Sequence, residues 1–158
     1  MPPITPCLWF DGDAEAAVAH YTALFPGSSI TKVTRVQEGG LGEPGSVLTI
    51  TFELLGQPFM ALNGGPHYHF TPAVSFSVPC ESQAELDRYW DALAEGGQEM
   101  PCGWVTDRFG LSWQIVPADI EALMNDPDPV RHQRVWGALM GMRRVDIAAL
   151  KAACAGAA

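Results

Sequence analysis

Pro6-Cys7-Leu8-Trp9-Phe10-Asp11-Gly12-Asp13 opens the segment on which the fold turns. The first five residues read as a short strand, and Asp11-Gly12-Asp13 carries the turn and N-cap signal of a following helix. Ala14, Ala17, Val18, Tyr21 and Phe25 then recur at helical spacing, and Pro26-Gly27 stops the helix. Strand patterns follow. Thr31 to Val36 alternates, and the glycine-rich run from Glu38 to Gly45 turns the chain. Val47 to Leu55 alternates again, with Leu48, Ile50, Phe52 and Leu54 on one face and Val47, Thr49, Thr51 and Glu53 on the other. Gly56-Gln57 predicts a hairpin turn into Phe59-Met60-Ala61-Leu62.

The same order then begins again. Ala73 to Val78 reads as a strand, and Ser82 with Glu85 forms a capping box. Leu86, Tyr89, Trp90 and Leu93 make the apolar stripe of a helix that Gly96-Gly97 closes. Short strands follow around Cys102 to Val105 and Leu111 to Val116. A shift of about 69 residues lays the first half of one unit on the other, and a shift of about 54 lays Gly56 on Gly110. The repeat is one of pattern, not of residues. A unit of about 60 residues cannot bury its sheet alone, so the two are expected to pair. The expected class is α+β: two βαβββ modules (4–63 and 72–117) forming a curved mixed sheet around a cleft, with helices outside. A helical tail over 118–155 completes a single domain, with a helix through Ile120, Leu123 and Met124 and another through Trp136, Leu139 and Met140. A last helix is capped by Asp146 and stapled by Val145 and Leu150.

Composition narrows the function classes. The chain has 158 residues, 47% hydrophobic and 17% charged, so a core can form and disorder is excluded. Nine basic residues against 18 acidic ones give a net charge of −9 with no basic cluster, which argues against nucleic acid as partner. No apolar run reaches the length of a membrane helix, and the N-terminus lacks signal-peptide order, so the expectation is a cytoplasmic protein with no membrane partner. Cys7, Cys80, Cys102 and Cys154 are widely spaced with no basic neighbour, which fits reduced, unreactive thiols.

Specific residues add a resemblance. Ile4 to Gly12, Ala14-Glu15-Ala16-Ala17, Tyr21 and Leu24-Phe25-Pro26-Gly27-Ser28 resemble the PhnB-like family, often labelled 3-demethylubiquinone-9 3-methyltransferase-like. Further matching segments are Gly56 to Gly65, Ala73 to Phe76, Cys102 to Gln114 and Met142 to Leu150. The resemblance places the chain in the glyoxalase/bleomycin resistance/dioxygenase (vicinal oxygen chelate) superfamily and implies its paired βαβββ modules. It also implies metal-ligand positions on the first and last strand of each module, here near Pro6, Met60, Ser75 and Gln114. None of these is His, Asp or Glu, so the usual metal is not expected. The methyltransferase label finds no support either, because Gly39-Gly40-Leu41-Gly42 lies between two alternating strands, not at a strand-to-helix turn.

The candidate ligand-binding lining is Leu8, Phe10, Thr49, Thr51, Met60, Ser75, Ser77, Ser112 and Gln114. Neutral hydrogen-bonding groups with an apolar wall suit a small, mostly neutral organic molecule. The same hydroxyls would equally satisfy one another in a closed cleft. No catalytic residue is assigned. Glu53 is a general-base candidate better read as a solvated strand end, and Asp107 reads as an Asx-type turn residue. His67 and His69 alternate along an extended segment and form the one histidine pair that would hold a metal, against a solvated-loop reading. Three functions follow: a homodimeric small-molecule binder without cofactor, a metal-dependent enzyme with non-standard ligands, or a dimeric interaction module whose tail helices make the contact.

Overall fold

The computed structural model describes residues 4–157. The chain divides into two compact units, the first ending at Phe70 and the second beginning at Thr71.

Unit 1 runs β1 (Cys7–Phe10), α1 (Ala14–Leu24), β2 (Ser29–Arg35), β3 (Val47–Leu54) and β4 (Gln57–Asn63). Its sheet has the order β1-β4-β3-β2, with β1 parallel to β4 and the other neighbours antiparallel. Ala14, Ala17, Val18 and Tyr21 of α1 are buried, and α1 packs on β3 and β4. The expected cap differs in origin. Asp13 makes no side-chain cap bond; Asn63 Oδ1 accepts from the Ala14 N–H at 3.0 Å instead. The hairpin between β3 and β4 turns on Leu55 and Gly56, both at positive φ (49° and 83°), as a two-residue turn with mirror-image geometry requires.

Unit 2 repeats the order with β5 (Ser75–Cys80), α2 (Gln83–Ala94), β6 (Gln98–Glu99), β7 (Trp104–Thr106) and β8 (Ser112–Pro117), in the sheet order β5-β8-β7-β6. The two βαβββ modules expected from the pattern are present, each with its own four-stranded mixed sheet. Two-residue β6 carried no strand pattern of its own. Ser82 accepts from the Glu85 N–H, but the Glu85 carboxylate closes on the Glu81 N–H, one residue before the expected partner. The buried helix positions of the two units differ by 72 residues and the buried β1 and β5 positions by 70, so the expected 69 drifts along the unit.

Three tail helices belong to unit 2: α3 (Ile120–Met124), α4 (Pro129–Met140) and α5 (Ile147–Ala155). Asp128 caps α4 and Asp146 caps α5 through side-chain bonds to main-chain N–H groups. Val145 and Leu150 are both fully buried, as the staple requires. The tail also docks by its main chain: the Cys102 and Gly103 N–H groups donate to Met142 and Arg143 carbonyls at 2.8 Å each.

Candidate functional site

Strand register decides what each sheet presents. Cys7 stands beside Met60, Leu8 beside Ala61 and Trp9 beside Leu62, while Thr49 pairs with Leu62 and Thr51 with Met60. Side chains alternate along a strand. Cys7, Trp9, Thr49, Thr51, Met60 and Leu62 therefore share the face opposite α1. Leu8 and Phe10 do not. They join Ile50, Phe52, Phe59 and Ala61 in the core, with Leu8 5% and Phe10 3% exposed. The expectation that Leu8 and Phe10 line the same surface as Met60 is corrected by this one-residue alternation, which puts Cys7 and Trp9 in their place. The Thr34 and Thr49 hydroxyls bond to one another on that face.

In unit 2 the register Ser75–Ser112 and Ser77–Gln114 puts all four predicted residues on one face, with Trp104 and Thr106 beside them. Gln114 Nε2 donates to Ser75 Oγ at 2.8 Å, and the Ser112 and Thr106 hydroxyls lie 3.4 Å apart. Ser112 is buried, whereas Ser77 is exposed, so the hydroxyls of this face differ in their access to a ligand. Glu53 is half-buried near the end of β3, between Ser29 and Pro58. The residues paired across the first and last strands are Cys7 with Met60 and Ser77 with Gln114, one and two residues from the expected Pro6 and Ser75. At these places unit 1 offers a thiol and a thioether and unit 2 a hydroxyl and an amide; neither pair includes a carboxylate or imidazole, and of the four only the Cys7 sulfur, as thiolate, is an ordinary zinc ligand. Among the described residues no three His, Cys, Asp or Glu side chains cluster at ion-binding distance. All four cysteines are free thiols; burial pushes Cys80 up to about 12 and holds Cys7 above its ordinary value, so neither favours the nucleophilic thiolate.

Unit 1 also carries a groove that the sequence did not announce. It encloses about 770 Å³ at the end of the sheet where β1, β4 and β2 finish and β3 begins. Trp9, Leu41, Val47, Leu48 and Leu62 supply apolar lining, and Asp11, Glu15, Arg35, Asn63 and His67 supply polar groups. Trp9 is fixed from three sides. Its indole N–H donates to the Gly65 carbonyl at 2.8 Å, Tyr68 meets its ring edge-on at 5.0 Å, and the Gly64 backbone lies flat against it. A Cβ at Gly64 would stand 2.3 Å from the indole, so only glycine allows that approach. Asn63 Nδ2 donates to Glu15 Oε2 at 3.1 Å and to the Val47 carbonyl at 3.0 Å, tying the start of α1 to the start of β3. His67 lines this groove, and Tyr68, between the two histidines, is engaged by Trp9. The one sequence signal for the groove was Trp9 itself, a large aromatic alternating with two core residues and followed by Asp11-Gly12.

The glycine-rich segment 39–42 lies in the loop joining antiparallel β2 and β3, with Gly39 and Gly42 at positive φ. It is a hairpin loop, and Leu41 and Gly42 line the groove.

Comparison with known proteins gives the lineage. The model of the 3-demethylubiquinone-9 3-methyltransferase family matches residues 2–116. A solved protein from Bacillus cereus, described as a 3-demethylubiquinone-9 3-methyltransferase and PhnB protein, is 38% identical with a TM-score of 0.67; the match covers 73% of this chain and 98% of that one. A protein from Pseudomonas aeruginosa is 27% identical with a TM-score of 0.58, over 74% of this chain and 97% of that one. The fosfomycin resistance protein FosX from Mesorhizobium loti shares the fold at 10% identity and a TM-score of 0.51, covering 74% and 90% of the two chains. No curated protein matches. The family match ends where the tail helices begin.

Proposed function

The chain belongs to the 3-demethylubiquinone-9 3-methyltransferase family of PhnB-like proteins, with the glyoxalase/bleomycin resistance fold, and from that premise we propose that it is a cytoplasmic, homodimeric binder of a small organic molecule. It works, on this reading, without the superfamily's usual metal ligands and without a nucleotide site for methyl transfer. The observation that carries the reading is the groove of about 770 Å³ in unit 1, a volume within the range of small-molecule pockets and lined by a fixed indole and aliphatic side chains. The donor set Cys7, Met60, Ser77 and Gln114 supports the absence of a divalent metal. The glycine-rich hairpin supports the absence of a nucleotide site, because phosphate-cradling glycines belong to a strand-to-helix turn.

Thermal unfolding in the presence of a library of uncharged and net-neutral aromatic fragments tests the reading. Some members are expected to raise the midpoint by several degrees in a saturable way. No saturable shift across the library, with the protein folded, would end it.

The dimer rests on α4, which leaves Trp136 and Met140, one turn apart, 43% and 63% exposed. In sedimentation equilibrium the chain is expected at twice its 17.0 kDa mass, and Trp136→Glu with Met140→Glu is expected to give monomers. A dimer unchanged by both substitutions would place the contact elsewhere.

A further inference from the structure

Resting on the small-molecule reading of the unit 1 groove, the geometry points to a ligand with a cationic group at one end, an anionic group at the other and an apolar body between them. The sheet order β1-β4-β3-β2 places Asp11, just after β1, and Arg35, the last residue of β2, at opposite sides of the groove. Three strand spacings separate the strands that carry them, about 14 Å, a span on the scale of several methylenes with a polar contact at each end. Leu62 of β4 and Val47 and Leu48 of β3 fill that interval, with Trp9 beside Leu62.

The two ends differ in sign and in availability. Glu15 gives one carboxylate oxygen to Asn63 Nδ2, and with Asp11 it makes the β1 side of the groove acidic; among the described residues no side-chain hydrogen bond engages Asp11, which is the acid tested for a ligand cation. Arg35 spends one N–H on the Gly45 carbonyl at 2.8 Å and keeps its remaining guanidinium donors for an anion. A ligand with one charge satisfies one side and desolvates the other. A wholly apolar ligand desolvates both. An ω-amino acid, or another net-neutral molecule with separated charges, pairs both and keeps its methylenes against Trp9 and the aliphatic wall.

The test uses 8-aminooctanoate, octylamine, octanoate and 1-octanol on the full chain, followed through the Trp9 indole N–H signal in nitrogen-15 NMR, assigned with Trp9→Phe. 8-Aminooctanoate is expected to shift that signal and to bind at least tenfold more tightly than the other three. Asp11→Asn is expected to remove its advantage over octanoate, and Arg35→Gln its advantage over octylamine. Both sites are on the surface, and circular dichroism checks that each variant is folded. Octylamine or octanoate binding as tightly as 8-aminooctanoate would overturn the two-ended ligand. Tight binding of 1-octanol would overturn it while sparing the groove as a binding site. A Trp9 signal unmoved by all four, with library fragments still raising the unfolding midpoint, would move the ligand out of this groove and overturn the inference.

Discussion

Asp107→Ala is expected to lower the unfolding free energy by about 3–5 kcal/mol, the largest single loss anticipated outside the aromatic core. The carboxylate is 3% exposed and accepts three hydrogen bonds. Oδ1 takes the Phe109 and Leu111 N–H groups at 2.9 and 3.1 Å, and Oδ2 takes the Trp113 indole N–H at 2.9 Å. Ala strands these donors in a place water reaches poorly, and each stranded group costs about 1–3 kcal/mol. Asn keeps one carbonyl for the turn but faces an amide N–H₂ toward the indole, so its loss should be about half. Urea unfolding checks this: the midpoint should fall with the slope unchanged. A loss for Ala below about 1 kcal/mol would mean that the turn 107–111 holds itself. The consequence reaches the polar face of the unit 2 sheet, since this turn launches β8 and so aims Gln114 at Ser75.

Gly97→Ala is expected to cost about 2–4 kcal/mol for a different reason. A Cβ there would stand 2.1 Å from the Thr106 carbonyl oxygen and about 3 Å from the Asp107 main chain. These are backbone atoms, not the ends of flexible side chains. Relief requires β6 to move off β7, at the expense of the Gln98–Thr106 pairing. Gly137→Ala is the matched control. It lies inside α4, a Cβ there would meet nothing within 4 Å, and the change should be neutral or stabilising by up to about 1 kcal/mol. Equal effects at the two glycines, read by thermal unfolding, would contradict the close approach. Gly97 and Asp107 share one corner, so their losses should not add.

Where the fold was legible, the signals were local. The α2 stripe, the Ser82 and Asp146 caps, the β3 alternation and the Val145–Leu150 staple each lie within a few residues and read correctly. What could not be read depends on distant partners. Asn63 caps a helix that begins 49 residues earlier, and no spacing rule reaches that far. Asp107 showed as a turn residue, but its bond to the Trp113 indole, which makes it structural, needs the fold. Leu8 and Phe10 went to the wrong surface because a four-residue strand alternates without saying which face meets the helix; the β1–β4 register decides it. Gly64 likewise looked like linker, and its purpose shows only with Trp9 lying against it.

The central claim is a small-molecule binder that holds no divalent metal of the superfamily's usual kind. Elemental analysis of untagged protein for Mn, Fe, Co, Ni, Cu and Zn tests it most directly, after gel filtration and again after incubation with excess ions and a second filtration. The donors at Cys7, Met60, Ser77 and Gln114, with His67 at the groove, predict metal far below one ion per chain in both samples. About one tightly held ion per chain, lost in His67→Ala or in a Cys7 variant, would contradict the account and make the protein a metal-dependent member of its family.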